Sequence, residues 1–181
     1  MKLKSLIIAC LLIFMYGCSK NDKSEDTTPI SSSMSENYDR SFTLTLNDGK
    51  NLNMQRNSEG FDIEDNNKAV LFTFFTTWCP PCKAEIPHLV SLQDKFKNEL
   101  RIIGVLMEER TADEISEFIK MYDINYRVAY GESNFFFAKA LGEVVGIPYS
   151  VLYYPNGKYA THYIGLVPEE MLESDIKKVI S

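Results

Sequence analysis

Apolar and polar residues alternate from Phe42 to Leu46, the period of a strand with one face buried. Asn47-Asp48-Gly49 is a hairpin turn signal, and Leu52 to Gln55 returns beside the first strand. Asn66-Asn67-Lys68 closes a polar loop, and Ala69 to Phe75 then runs almost without a polar break, as a central buried strand does. From Pro80 to about Leu100 the period changes to that of a helix, with Ile86, Leu89, Leu92 and Phe96 as its apolar stripe and Pro87 as an expected kink. Arg101 to Met107 reads as a second buried strand. Thr111-Ala112-Asp113-Glu114 is a capping box, and Ile115, Phe118, Ile119 and Tyr122 continue it as one helix face.

A short strand over Tyr126–Ala129 and a short helix over Ser133–Leu141 follow, with Gly142 beyond the helix end. Pro148 opens a strand from Tyr149 to Tyr154. Pro155-Asn156-Gly157 turns the chain, and Tyr159 to Ile164 returns antiparallel. Pro168-Glu169-Glu170 begins a last helix, where proline suits the first turn and the acids suit the dipole; Leu172, Ile176 and Val179 form its core face. Strands alternating with helices, closed by a hairpin and a helix, predict an α/β domain with a mixed sheet covered on both faces.

The chain has 181 residues and is 45% hydrophobic and 12% aromatic, enough for a substantial core and against wholesale disorder. Its net charge of −6 argues against bulk electrostatic binding of nucleic acid. Four cysteines, at 10, 18, 79 and 82, are too few for a disulfide scaffold, so their positions matter more than their number.

Lys2 and Lys4 precede an uncharged apolar run from Leu6 to Tyr16. As a helix that run rises only about 16 Å against a hydrocarbon core of about 30 Å. It therefore reads as a signal-peptide core, a poor membrane span. Gly17-Cys18 and a polar stretch follow, and together they resemble a bacterial lipoprotein signal, in which the chain is cut before a cysteine that is then lipidated. That resemblance implies a signal peptide over 1–17, lipidation at Cys18, and a protein held by its lipid at a membrane outside the cytoplasm. The alternative is an ordinary cleaved signal with Cys18 an incidental thiol. Residues 18–38 are Ser, Asp, Glu, Lys and Thr rich and read as a flexible tether with a span of roughly 25 Å. Residues 39–181 form the folded domain. Removing Lys2 and Lys4 leaves 17 basic against 25 acidic residues, a net charge of −8.

Trp78-Cys79-Pro80-Pro81-Cys82 stands where the buried strand passes into the helix. Two thiols at this spacing suit reversible disulfide chemistry. The dipole and free N–H groups at the helix head stabilise a thiolate at Cys79, while Cys82, one turn in, can resolve a mixed disulfide. Cys79 is therefore the expected nucleophile and Cys82 the resolving thiol, with Pro80 and Pro81 stiffening the first turn. A purely structural disulfide with so short a loop would constrain the unfolded chain little. A metal site would need more ligands, and His88 and His162 are the only histidines. The expected cofactor set is thus empty apart from the Cys79–Cys82 disulfide itself.

Residues 72–87, Phe-Thr-Phe-Phe-Thr-Thr-Trp-Cys-Pro-Pro-Cys-Lys-Ala-Glu-Ile-Pro, resemble the active-site segment of the TlpA/ResA-like branch of thioredoxin-fold proteins. The likeness extends from about residue 40 to 181 and takes in Gly146-Ile147-Pro148 and the Asn156-Gly157-Lys158 hairpin. It implies a thioredoxin fold with an N-terminal β-hairpin and an inserted helix and strand. It also implies a cis Pro148 beside the cysteines, an Ile147 backbone free to pair with extended substrate, and a proton-handling role for Glu85. From periodicity alone Glu85 would be a solvated helix acid. The implied activity is reduction of disulfides in proteins outside the cytoplasm, with apocytochrome c a frequent substrate and a transmembrane thiol–disulfide transporter as electron donor.

Three positions depart from the branch. Thr73 replaces the usual Asn and cannot ionise, which leaves Glu85 or water to move protons. Phe75 replaces Trp, a packing change. Tyr149 replaces Thr after the proline and is expected to reshape the substrate groove. His88 is expected at the surface or groove rim, His162 in a structural place, and Phe135-Phe136-Phe137 in the core, with one ring free to line the groove. Competing functions are a disulfide-donating oxidant of the same fold, a thiol peroxidase (disfavoured by the CxxC spacing), and a non-catalytic or copper-binding module.

Overall fold

The computed structural model describes residues 41–181 apart from 65 and 143. The expected signal segment, Cys18 and the tether lie outside the described residues. Eight strands and four helices follow in the order β1 (Ser41–Leu46), β2 (Asn51–Arg56), β3 (Phe61–Ile63), β4 (Ala69–Phe75), α1 (Pro80–Lys95), β5 (Leu100–Leu106), α2 (Ala112–Met121), β6 (Arg127–Tyr130), α3 (Ser133–Ala140), β7 (Tyr149–Tyr153), β8 (Tyr159–Ile164) and α4 (Glu169–Ile180).

The strands form one sheet in the order β3-β2-β1-β6-β5-β4-β7-β8. β4, β5 and β6 are parallel, and every other pairing is antiparallel. β4 is buried along its whole length, because helices cover both of its faces. Alternate residues sort into two cores. Leu71, Phe75, Ile102, Leu106 and Leu152 meet α1, α2 and α4 on one face. Phe72, Phe74, Ile103, Val105 and Val151 meet α3 on the other. There the fully buried Phe137 ring lies 4.8 Å from Phe72, 5.5 Å from Phe74 and 5.4 Å from Phe61. The expected N-terminal hairpin is β1–β2, and the expected insertion is α2–β6, which places β6 between β1 and β5.

Several expectations need correction. α1 ends at Lys95, short of Leu100. Phe96 leaves helical geometry with its N–H still bonded to the Leu92 carbonyl, and the chain turns through 97–99 into β5. β3 has no sequence signal, because a backbone approach from far along the chain creates it. Phe61 N–H donates to the Gly157 carbonyl at 3.0 Å, and Tyr159 N–H to that of Glu59 at 2.8 Å. A Cβ on Gly60 would stand 2.1 Å from the Gly157 oxygen, and one on Gly157 1.9 Å from the Phe61 oxygen. Only two glycines let these turns touch. Of the three phenylalanines, only Phe137 is core; Phe135 and Phe136 are exposed.

Candidate functional site

β4 delivers the chain through Thr76, Thr77 and Trp78 to Cys79, the N-cap of α1. Pro80 and Pro81 occupy the first helical positions, where a missing N–H costs little. Cys79 and Cys82 are joined as a disulfide with their Cα atoms 5.3 Å apart. Cys79 Sγ accepts the Cys82 backbone N–H at 3.3 Å, and the Cys79 carbonyl accepts that of Lys83 at 3.1 Å. The helix head thus aims a donor at one sulfur only, that of Cys79. Both residues are buried to the same 3% exposure, so accessibility does not separate them. Trp78 beside them is 65% exposed, and Pro80 and Pro81 are exposed too.

The Ile147–Pro148 bond is cis, as the resemblance implied, and Pro148 is buried. The Pro148 carbonyl accepts the Gly165 N–H at 2.8 Å, while the Ile147 backbone makes no such bond with the described residues. The Ile147 side chain packs against the core that holds both cysteines.

Glu85 lies one turn beyond Cys82 on the same buried stripe of α1, at 1% exposure. Burial raises its pKa to about 7; the Val167 backbone and the Thr73 side chain pull it part of the way back. Neither satisfies Oε1, which has no hydrogen-bond partner. A buried carboxyl of this kind exchanges its proton near neutral pH. Thr73, the departure noted in the sequence, is thus part of the Glu85 environment. Burial pushes the Tyr126 phenol up, and the nearby Glu85 charge adds to it.

The sheet beneath Glu85 carries small and polar residues. Gly104, Thr73 and Ser150 pair side by side across β5, β4 and β7. Thr73 and Ser150 are buried, and Ser150 Oγ has no partner. A Cβ at Gly104 would come within 3.0 Å of the Phe75 ring and 3.4 Å of the Tyr126 ring. Phe75 in turn stacks on Phe118 of α2 at 5.9 Å. Ser150 and Gly104 carry no local motif, and only strand alternation about Thr73 could have singled them out.

Other expected positions fall elsewhere. Tyr149 does not reshape the cysteine side, since strand alternation turns it to the opposite face. There it meets Phe74 at 5.9 Å and stacks on His162 at 5.7 Å. His162 pairs at Nδ1 with the Tyr159 hydroxyl at 2.6 Å, on β8, two strands from β4 and on the Tyr149 face of the sheet, opposite the cysteines. His88 is half-buried on the flank of α1. Among the described residues, no three His, Cys, Asp or Glu side chains gather to hold a metal.

A family model described as AhpC/TSA family matches residues 40–173. The chain belongs to the AhpC/TSA family. It is similar to thiol-disulfide oxidoreductase ResA of Bacillus cereus, 29% identical over 140 residues that cover 76% of this chain and 74% of the relative. Sporulation thiol-disulfide oxidoreductase A of Bacillus subtilis is 26% identical over 125 residues, covering 66% and 74%. The crystal structure of StoA from Bacillus subtilis superposes with a TM-score of 0.59 at 22% identity, over 75% of this chain and 96% of that one. A thiol:disulfide interchange protein of the thioredoxin family from Chlorobium tepidum gives 0.60 at 23%, over 78% and 94%. The fold of this AhpC/TSA protein is thioredoxin-like, and the protein is a ResA-like thiol–disulfide oxidoreductase.

Proposed function

We propose that this oxidoreductase reduces disulfides in proteins outside the cytoplasm, tethered to a membrane by lipid on Cys18, with Cys79 as nucleophile and Cys82 as resolving thiol. The observation that carries the reading is the asymmetry at the head of α1. The Cys82 N–H points at Cys79 Sγ, and a buried carboxyl titrating at about 7 lies one turn beyond Cys82.

The exchange then runs in two displacements. Cys79 thiolate, stabilised by the helix head, attacks a substrate disulfide. A bond forms between Cys79 Sγ and one substrate sulfur, and the other leaves as a thiolate that takes a proton from solvent. Glu85 carboxylate accepts the Cys82 proton, and Cys82 thiolate attacks Cys79 Sγ. The second substrate thiol departs, two electrons have passed to the substrate, and the Cys79–Cys82 disulfide remains. Ile147, before the buried cis proline, offers its backbone to an extended substrate segment. Trp78 is the exposed apolar surface beside the sulfurs, and Pro80 and Pro81 hold the first turn. No cofactor beyond the disulfide enters these steps.

A transmembrane thiol–disulfide donor would return the pair to the dithiol form. Apocytochrome c, whose two thiols must be reduced before haem attachment, is the substrate this reading favours. The order of attack is tested by trapping. Cys82→Ser accumulates mixed disulfides with partner proteins and Cys79→Ser accumulates few; equal trapping by both variants overturns the assignment.

A further inference from the structure

Glu108 sits two residues beyond the end of β5 and touches no sulfur, yet it takes hold of the loop that carries Cys79. Its Oε1 accepts both the Thr77 backbone N–H, at 2.5 Å, and the Thr77 hydroxyl, at 2.7 Å. Its Oε2 accepts Arg110 Nε at 3.2 Å and Nη2 at 3.1 Å. Arg110 Nη1 donates to Glu114 Oε1 at 3.1 Å. Glu114 Oε2 in turn accepts the Thr111 N–H at 2.9 Å and hydroxyl at 3.0 Å, closing the capping box of α2. A chain of charge-assisted bonds therefore runs from the cap of α2 to the residue two places before Cys79. Burial opposes the Glu108 charge, but the Thr77 side chain and backbone and Arg110 outweigh it and hold the carboxyl below its ordinary range.

The backbone bonds beside the loop lie at its ends: Met107 N–H donates to the Phe75 carbonyl at 2.8 Å before it, and Lys83 N–H to the Cys79 carbonyl at 3.1 Å after it. Thr76 Oγ1 is buried without a partner, Trp78 is largely exposed, and the Cys79 N–H reaches the Thr76 carbonyl only at 3.3 Å. Pro80 and Pro81 bring no N–H. One turn of backbone must nevertheless present Cys79 Sγ to the Cys82 N–H.

We propose that Glu108 is a positioning residue for the exchange reaction: by gripping both donors of Thr77 it fixes the 76–79 turn, and with it the place of Cys79 Sγ at the head of α1. The inference rests on the exchange reading above and adds the β5–α2 segment to the machinery.

Two effects of opposite sign separate this role from simple electrostatics. The charged groups around the loop are Glu108 and Arg110, Glu114 and Glu117 of α2, which share a hollow with Thr77, and Lys83 and Glu85 of α1. A carboxylate near a thiolate disfavours it, so losing the Glu108 charge alone would favour the Cys79 thiolate. Losing the grip lets Sγ drift from its donor and disfavours it. The test is the pH profile of Cys79 alkylation by iodoacetamide in the full-length Cys82→Ser protein, where the residue 82 N–H is retained. Glu108→Ala moves the profile to higher pH and slows alkylation at pH 7 by about threefold to tenfold, as a thiol pKa raised by about half a unit to one unit would. Glu108→Gln, which keeps an acceptor and loses the charge, returns most of the way to the parent profile. A profile that stays in place or moves to lower pH in Glu108→Ala overturns the inference. Should that variant not fold, Thr77→Val, lacking one of the two donors, is read by the same directions. Failure of the exchange reading appears instead in the trapping experiment with Glu108 intact.

Discussion

Glu85 is the residue whose environment departs furthest from what its neighbours in sequence suggest. On periodicity it is one acid among many on a helix; in the fold it is the only buried acid among the described residues. Its raised pKa has a consequence for stability. Between about pH 4.5 and about 7 the folded state keeps a proton that the unfolded state has released. Stability therefore falls as pH rises through that window, by about 3 kcal/mol for a shift of this size. Glu85→Gln removes the charge to be buried. Denaturant unfolding should show it gaining stability over the parent at pH 8 relative to pH 4, with the pH slope flattened. An unchanged slope means that Glu85 does not titrate in this range. Cys79 and Cys82 could be read from the sequence because their spacing at a helix head suits a disulfide; Glu85 could be read only through the resemblance, since helix spacing does not show which acid the fold buries. Ser150, Gly104 and the Thr77–Glu108 contact could not. Thr77 and Glu108 are 31 residues apart, and only the β4–β5 pairing brings them together.

The elements that were legible are those with a strong local period or cap. The unbroken apolar run of β4, the alternation of β1, and the capping box of α2 each state their structure within a few residues. The end of α1 was less so, since Phe96 continues the apolar stripe while its backbone has already turned. β3 was invisible, because three residues held by contact with the β7–β8 turn carry no pattern of their own. That contact is testable. Gly157 has φ +80°, and a Cβ there would meet the Phe61 carbonyl. Gly157→Ala should cost more than about 1 kcal/mol, from the backbone conformation alone. Amide exchange should also rise at Phe61 and Tyr159. Unaltered exchange at both would show that β3 does not depend on this turn.

At the scale of the molecule, the alternation of elements was enough for the α/β class and, with the Asn47-Asp48-Gly49 turn, for the first hairpin; the resemblance supplied the thioredoxin fold and the inserted helix and strand, while the strand order came only with the structure. The result is a sheet with helices α1, α2 and α4 over the redox face and α3 over the other, so that the chemistry sits on one face of a rigid support. No helix among the described residues is long and apolar enough to cross a membrane. Tethering in this account falls to Cys18 and the polar segment after it. The direction of electron flow belongs to the whole molecule, since the same pair on the same fold serves reductants and oxidants alike. The most direct measurement is the midpoint potential of the Cys79–Cys82 pair, from equilibration with dithiothreitol and glutathione buffers. The reductase account predicts a midpoint close to thioredoxin's value of about −270 mV, and a value near the roughly −120 mV of a strong oxidant would contradict it.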